Sequence, residues 1–132
     1  MGFGQFLLQK GKWNDKQLLP AAWIEEATAA HSDNSNTQTN PDWIVGYGYQ
    51  FWRCRHGAYR GDGAFGQYCV VFPEQDAVLA ITSGLRDMQA ILDLVWAYLL
   101  PAFEDGALPE DTAAQAALAQ KLGALSLPVT PG

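Results

Sequence analysis

The residues that could attack a carbonyl group are few, and their spacing does not form a complete catalytic unit. The four serines are Ser32, Ser35, Ser83 and Ser126. A Ser–Lys nucleophile needs the two residues one helical turn apart, so that the amine can accept the hydroxyl proton. No serine here is followed by lysine three positions later. Ser83 is followed by Arg86, which cannot act as a general base because a guanidinium keeps its proton near neutral pH. We therefore predict that Ser83 is a turn or cap residue.

The two histidines, His31 and His56, are candidates for a general base because the partners of a Ser–His–acid triad need not be neighbours in sequence. However, the chain has no Gly-x-Ser-x-Gly elbow. His31 lies at the start of a polar, turn-rich segment (31–42), and His56 lies at the end of a predicted strand, so we expect both to be structural. There is no CxxC or HExxH motif. The sequence thus predicts no metal site and no cofactor.

A glycine-rich segment, RGDGAFG at 60–66, is the strongest candidate for a binding element. Its Gly-x-Gly-x-x-Gly spacing resembles a dinucleotide fingerprint, but that motif requires a helix after it, and strand-like sequence follows here. Two interpretations remain. The segment is a cleft-facing turn in which Arg60 offers a forked cation to a substrate carboxylate, or it is a turn that uses glycine for positive φ and tight packing.

The surrounding segments predict an α+β domain with a three-stranded antiparallel sheet and flanking helices. Periodicity of two residues and turn signals predict strands at 46–55, 66–73 and 77–83, with a hairpin connection at 73–76. Helical spacing and capping signals predict helices at 3–9, 21–30, 86–100 and 111–124. The first helix has no N-cap, which suggests that the chain starts inside an element. Residues 125–132 are predicted to be a linker or frayed end.

Composition excludes several classes of protein. The 132 residues, 48% of them hydrophobic, suit one globular core. A net charge of −6 argues against binding to nucleic acid, which needs clustered cations, and the local group Arg53, Arg55 and Arg60 is typical of a solvated edge. We expect Cys54 and Cys69 to be reduced thiols, although matched register would allow a disulfide.

No apolar run approaches the roughly 18 residues of a membrane span. The first residues lack a basic region and a cleavage site, so no signal peptide is predicted, and the compartment stays open. The aromatic residues of the first strand suit core packing or cleft lining better than a sugar-stacking platform; they are Tyr47, Tyr49, Phe51 and Trp52.

Four motifs, in order along residues 3–103, resemble the serine β-lactamase and penicillin-binding-protein-like hydrolases. Residues 4–23 resemble a helix–loop–helix stretch of that family, with Asp15 at a position where glycine is common. GYGYQFW at 46–52 resembles the segment that opens the last strands of the family's sheet. GAFGQY at 63–68, followed by FPEQD at 72–76, resembles the hairpin that comes next.

The resemblance implies acyl transfer to an active-site serine, with hydrolysis of an ester, an amide or a β-lactam. It places the family's third motif, usually Lys-Thr-Gly or His-x-Gly, at 61–63 with Arg60 adjacent. This motif belongs to a candidate substrate-binding turn formed by Arg60, Gly61, Asp62, Gly63, Ala64 and Phe65. Ala64 or Phe65 would then donate a backbone N–H to an oxyanion hole. The Lys or His of that motif is absent, and the Ser-x-x-Lys and Tyr-x-Asn motifs would lie upstream of Met1.

We therefore predict that residues 1–104 are the C-terminal segment of a β-lactamase-like domain and that residues 105–132 add a helix and a tail. Alone, the chain should lack catalysis. A non-catalytic scaffold or interaction module on the same half-fold is the alternative. Because the resemblance implies that upstream strands would pair beside the last strand, we also predict self-association through an exposed sheet edge or helix face.

Overall fold

The computed structural model describes residues 2–127 and has an α+β architecture with antiparallel sheets. The helices are α1 (Gly2–Leu8), α2 (Ala21–Ala27), α3 (Met88–Leu94) and α4 (Thr112–Gly123). The strands are β1 (Lys12–Trp13), β2 (Lys16–Gln17), β3 (Trp52–Arg53), β4 (Tyr59–Gly63), β5 (Gln67–Phe72) and β6 (Ala77–Ile81). Strands β1 and β2 form a small hairpin, and β3 to β6 form the main sheet in sequential order.

The main sheet has four strands, so the prediction of three was wrong. Residues 59–63, of which 60–63 were assigned to a turn, form β4, which pairs with β5 from Tyr59 opposite Val71 to Gly63 opposite Gln67. In place of the long strand predicted at 46–55, the structure has the short strand β3, which is preceded by isolated bridges at Tyr47. Pairing of the whole of β4 with β5 outweighs the turn preference of the Gly-Asp-Gly sequence, because strand preference depends strongly on context.

The sheet has a helix on each face. On one face, α3 and the sheet enclose the larger core, whose buried members are Cys54, Ala58, Tyr68, Val70, Phe72, Ile91, Leu92, Val95 and Trp96. On the other face, α1 and α2 cover a smaller core of Leu7, Ile24, Tyr59 and Val71. Alternation along β4 and β5 divides their side chains between the two cores, as the two-residue period of a strand requires.

The helix predicted at 86–100 is present, but only its first part, Met88–Leu94, is α-helical. It begins at Met88, where the Asp87 side chain accepts a hydrogen bond from Ala90 N at 3.2 Å. After Leu94 the chain continues as a π-helical turn (Val95–Leu99) and a short 3-10 turn (Leu100–Ala102). Pro101 lies in this last turn and ends the helical run.

Close approach of α1 to the sheet requires glycine at position 4. A Cβ there would lie 2.4 Å from Val78 Cγ1 and 2.8 Å from Cys69 Sγ. Cys69 thus lies under α1, whereas Cys54 is buried in the core on the α3 face. Both thiols are free, as predicted.

Helix α4 follows the fold without joining its core, since none of its residues is buried. The division at residue 104 stays a prediction, and part of the predicted tail, 128–132, lies outside the described residues. Among residues 2–127, no helix has the length and apolarity that crossing a membrane would require.

Candidate functional site

The predicted substrate-binding turn is shorter than expected and faces solvent. It consists of Ala64, Phe65 and Gly66, between the end of β4 and the start of β5. Ala64 and Phe65 are exposed, and Phe65 holds a positive φ of 67° that is uncommon outside glycine. Among the described residues, neither amide donates a hydrogen bond to another backbone group outside the strand ladders. Neither amide thus has a backbone partner of that kind, and both residues that carry them are exposed.

Arg60 does not reach this turn's surface, so the structure does not present it to a substrate carboxylate. Its side chain is fully buried on the α3 face. Nη1 donates to the Asp42 carbonyl at 2.8 Å and to Cys54 Sγ at 3.1 Å, and Nε donates to Asp62 Oδ2 at 3.2 Å. Nη2 also lies 3.2 Å from Asp62 Oδ2 but lacks hydrogen-bond geometry, so that contact is electrostatic.

Three aromatic rings surround the Arg60 guanidinium. Its central carbon lies 4.1 Å from the ring centre of Trp43, 5.7 Å from that of Trp52 and 5.8 Å from that of Tyr68. Ring faces stabilise a desolvated cation by about 2 kcal/mol. This arginine is a structural cation that joins the strands to the segment before β3.

Asp62 and the two β4 glycines lie between this cation and the turn. Burial raises the pKa of the Asp62 carboxyl, and the nearby Arg60 charge opposes that rise. Gly61 has open space where a side chain would be, since no atom lies within 4 Å of a built Cβ. The backbone of β4 can therefore be approached closely at Gly61.

Ser83 fixes the turn in place, which refines its prediction as a turn or cap residue. Its hydroxyl donates to the Phe65 carbonyl at 2.9 Å and accepts from Leu85 N at 3.2 Å. Leu85 N also donates to the same carbonyl, at 3.1 Å, and the Gln67 side-chain amide donates to the Ser83 carbonyl. Sequence reasoning gave no sign that this serine, after β6, would hold the turn after β4.

Asp42 is a central polar residue that sequence reasoning missed. Its carboxylate is fully buried and accepts hydrogen bonds from Arg55 N and Nη2, Gln89 Nε2 and Trp96 Nε1 at 2.7–2.9 Å. Burial alone would raise its pKa, but hydrogen bonds from Arg55, Gln89 and Trp96 outweigh that effect and lower the pKa to about 2. Its only sequence signal, a place in a polar Asn-Pro-Asp run, is typical of a solvated loop.

The candidate bases are held by other groups, although His31 is next to Ser32 in the chain. His31 Nε2 donates to the Glu26 carbonyl at 2.7 Å, and its ring stacks on Tyr49 at 4.5 Å. His56 packs near Trp96, with ring centres 5.2 Å apart. Within residues 2–127, no side-chain hydrogen bond joins a serine to a histidine or a lysine. The structure thus brings together no acyl-transfer nucleophile and base in this part of the chain.

Two open cavities lie elsewhere on the surface. One, of about 550 Å³, lies between α1, α2 and the end of β5, with Lys10 and Glu25 paired at 2.7 Å among its lining residues. The other, of about 530 Å³, is lined by His56 and several acidic residues. Residues 60–65 line neither of these two cavities.

Comparison with known proteins supports a coarse relation to hydrolases of the β-lactamase and transpeptidase fold. The chain is similar to the solved structure named "Putative 6-aminohexanoate-dimer hydrolase from Bacillus anthracis", with 25% sequence identity and a TM-score of 0.53. The likeness covers 75% of this chain and 26% of that chain, so this chain spans about a quarter of its neighbour's length. No family model matches the sequence, and no curated protein does.

Proposed function

We propose that the β3–β6 sheet is one wall of an acyl-transfer site in a β-lactamase-like serine hydrolase. The segment that carries the nucleophile would lie outside these 132 residues. The observation that carries this proposal is the likeness over three quarters of this chain to about a quarter of a hydrolase's length. The motifs along residues 3–103 follow the order that they have in the resembling family, and one of them covers the β4–β5 hairpin. This order is a second observation in support of the proposal.

The turn after β4 would contribute oxyanion stabilisation. Attack on an ester, an amide or a β-lactam places negative charge on the carbonyl oxygen, and backbone N–H groups that are already oriented stabilise that charge. Ala64 and Phe65 are exposed residues on a turn held by Ser83 and would supply such groups. Gly61, with open space beside it, would let an extended substrate lie along β4.

Arg60 would act in this site as a positioning residue. Its bonds to Asp62 and to the Asp42 carbonyl fix the strand that leads into the turn. Recognition of a substrate carboxylate by Arg60 would require displacement of Asp62 and exposure of a cation that three rings enclose. The substrate-binding role is therefore proposed for residues 61–65, with Arg60 behind them.

A test of the proposal uses the longest reading frame that contains this chain. That frame should encode Ser-x-x-Lys followed by Tyr-x-Asn before Met1, and its product should react with a fluorophosphonate probe at the serine of the first motif. Substitution of that serine by alanine should abolish labelling. A frame without these motifs, or a product labelled elsewhere, would contradict the proposal.

The turn can be tested in the same longer protein. Ala64→Pro removes one N–H donor, and we expect a loss in turnover of about 100-fold, the usual effect of one oxyanion-hole donor. Ala64→Ser keeps the N–H and should retain most activity. Equal activity in both variants would exclude the Ala64 amide from the oxyanion hole and leave Phe65 as the donor to examine.

A non-catalytic scaffold built on the same half-fold is the second candidate. The observation that favours it is that Arg60, next to the place where the resembling family carries Lys or His, is buried and bonded to protein groups. A longer product that folds and has the upstream motifs but resists the probe would support this alternative.

A further inference from the structure

The cavity of about 550 Å³ beside α1 and α2 is built by four separate parts of the chain. Its lining comes from the end of α1, from α2 and the residues after it, from β3 and the start of β4, and from the β5–β6 connection. This volume lies in the range of cavities that hold small molecules. Leu7, Ile24 and Tyr59 line the cavity and are also buried members of the smaller core, so the cavity offers a bound molecule an apolar surface.

Arg53 also lines this cavity, and it differs from the two arginines near it in sequence. Arg55 forms an ion pair with Asp42, and Arg60 forms one with Asp62. Arg53 forms no ion pair within residues 2–127, although its side chain is partly buried. Loss of hydration disfavours an unpaired charge, and an anionic ligand would compensate for that loss.

The protein fixes the Arg53 side chain in the absence of a ligand. Nη1 donates to the Thr28 carbonyl at 3.1 Å, and Nη2 donates to the Gly57 carbonyl at 3.2 Å. The central carbon of the guanidinium lies 5.8 Å from the ring centre of Tyr59. A guanidinium has five N–H donors, so two are used here and the others have no partner within residues 2–127. A fixed, planar fork of this kind suits a carboxylate, which accepts two parallel hydrogen bonds.

The other charged residues of the lining restrict the charge of the ligand. Lys10 Nζ pairs with Glu25 at 2.7 Å, so these two charges largely neutralise each other. The Glu74 carboxylate lies near Gly57, because its Oε1 is 3.1 Å from a Cβ built at that glycine. A second negative charge on a ligand held by Arg53 would be repelled by Glu74. The lining therefore favours a ligand with a single negative charge.

We propose that this cavity binds a small monocarboxylate with an apolar body. Its carboxylate accepts hydrogen bonds from Arg53, and its apolar part packs on Leu7, Ile24 and Tyr59. The cavity includes Pro73, directly after β5, whereas the turn at 64–66 lies directly before β5, so the two lie at opposite ends of that strand. The inference does not depend on the proposed hydrolase function.

Titration of the isotope-labelled 132-residue chain with hydrocinnamate, followed by NMR, tests the proposal. We expect saturable shifts of the Thr28 and Gly57 amide signals, with a dissociation constant in the low millimolar range. Hydrocinnamamide has the same body without the charge, and phenylsuccinate adds a second carboxylate. Each should bind about fivefold more weakly or worse. Equal affinity for hydrocinnamate and its amide would overturn the proposal, as would the absence of binding.

Variants of the lining separate the roles of the two charges. Arg53→Met should weaken hydrocinnamate binding by about tenfold or more, because it removes the charged fork. Arg86→Met, the same change at an exposed position outside the cavity, is the matched control and should bind like the wild type. Circular dichroism checks that both fold, and unchanged affinity in a folded Arg53→Met protein would overturn the proposal.

Glu74→Gln provides a test that does not require a change at Arg53. Glu74 is exposed, so this variant should fold. Without the negative charge at position 74, we expect phenylsuccinate to bind about threefold more tightly or better. An unchanged preference for hydrocinnamate over phenylsuccinate would contradict the assigned site.

The product of the longest reading frame that contains this chain gives a further check. It should bind hydrocinnamate with the same dependence on Arg53. Binding by the 132-residue chain but not by the longer product would show that another segment fills the cavity, and that result would also overturn the proposal.

Discussion

Asp42 shows how one buried carboxylate holds together parts of the chain that are far apart in sequence. It joins the segment before β3 to α3 through Gln89 and to the following π-helical turn through Trp96, and its carbonyl accepts from Arg60 in β4. A buried charge is tolerated only when hydrogen bonds replace its lost hydration. Removal of the charge should therefore leave the donors around it unsatisfied.

We expect Asp42→Asn to lower the free energy of unfolding by about 3 kcal/mol, because it removes a buried ionic acceptor from three side-chain donors. Urea denaturation at neutral pH measures this loss. Asp105→Asn, at an exposed position, is the matched control and should be nearly neutral. Equal stability of the two variants would show that the Asp42 network contributes little.

The low pKa of Asp42 also predicts a pH dependence. Because its pKa is lowered in the folded state from an ordinary 3.8 to about 2, its stabilisation is complete above about pH 4 and is lost as the pH falls through 2. Between pH 5 and pH 2 the wild type should lose roughly 2 kcal/mol more stability than Asp42→Asn. Parallel pH profiles for the two proteins would contradict this assignment.

Arg60 should be irreplaceable by lysine if its role is structural. A lysine cannot bond Asp62, the Asp42 carbonyl and Cys54 in the plane that the rings enclose. We expect Arg60→Lys to destabilise the fold by about 2 kcal/mol, measured by denaturant unfolding, and Arg86→Lys at an exposed site to have no effect. Unchanged stability of Arg60→Lys would contradict this structural role and would make Arg60 a candidate substrate contact again.

At the scale of elements, the β4–β5 turn depends on close packing against α3. Gly66 has a φ of +86°, and a Cβ at this position would lie 2.2 Å from Ile91 Cδ1. The turn, α3 and the segment after β6 meet at this point. Any side chain at position 66 should displace the turn and its two N–H donors.

We therefore expect Gly66→Ala to lower the free energy of unfolding by about 3 kcal/mol, through both positive φ and overlap with Ile91. Gly61→Ala is the matched control, because it adds the same methyl group to β4 where no atom lies within 4 Å. That variant should be neutral or slightly more stable. Thermal unfolding of both proteins distinguishes the two cases, and similar losses would show that the packing at Gly66 is not critical.

Sequence reasoning located the elements whose pattern is local. Strands β5 and β6 and the helix from Met88 were predictable because apolar periodicity reports burial directly. Strand β4 was missed because Gly-Asp-Gly is typical of turns, although Arg60 and Asp62 alternate with glycines at the period of a strand. The Asp42 network and the Ser83 contact were not predictable, since each joins residues that are distant in sequence.

At the scale of the molecule, the central proposal is that the β3–β6 sheet is one wall of an acyl-transfer site whose nucleophile lies on another segment. The likeness to about a quarter of a hydrolase chain and the exposed turn residues Ala64 and Phe65 both suit that proposal. Within residues 2–127, the serines that are present contact turns and loops and not a base. This arrangement supports the proposal that reactivity requires residues on another segment.

The most direct test is fluorophosphonate labelling followed by intact mass and peptide mapping. It compares the 132-residue chain with the product of the longest reading frame that contains it. We predict that the 132-residue chain stays unlabelled, whereas the longer product gains one label on an upstream Ser-x-x-Lys serine. Stoichiometric labelling of Ser32, Ser35, Ser83 or Ser126 in the 132-residue chain would contradict the account.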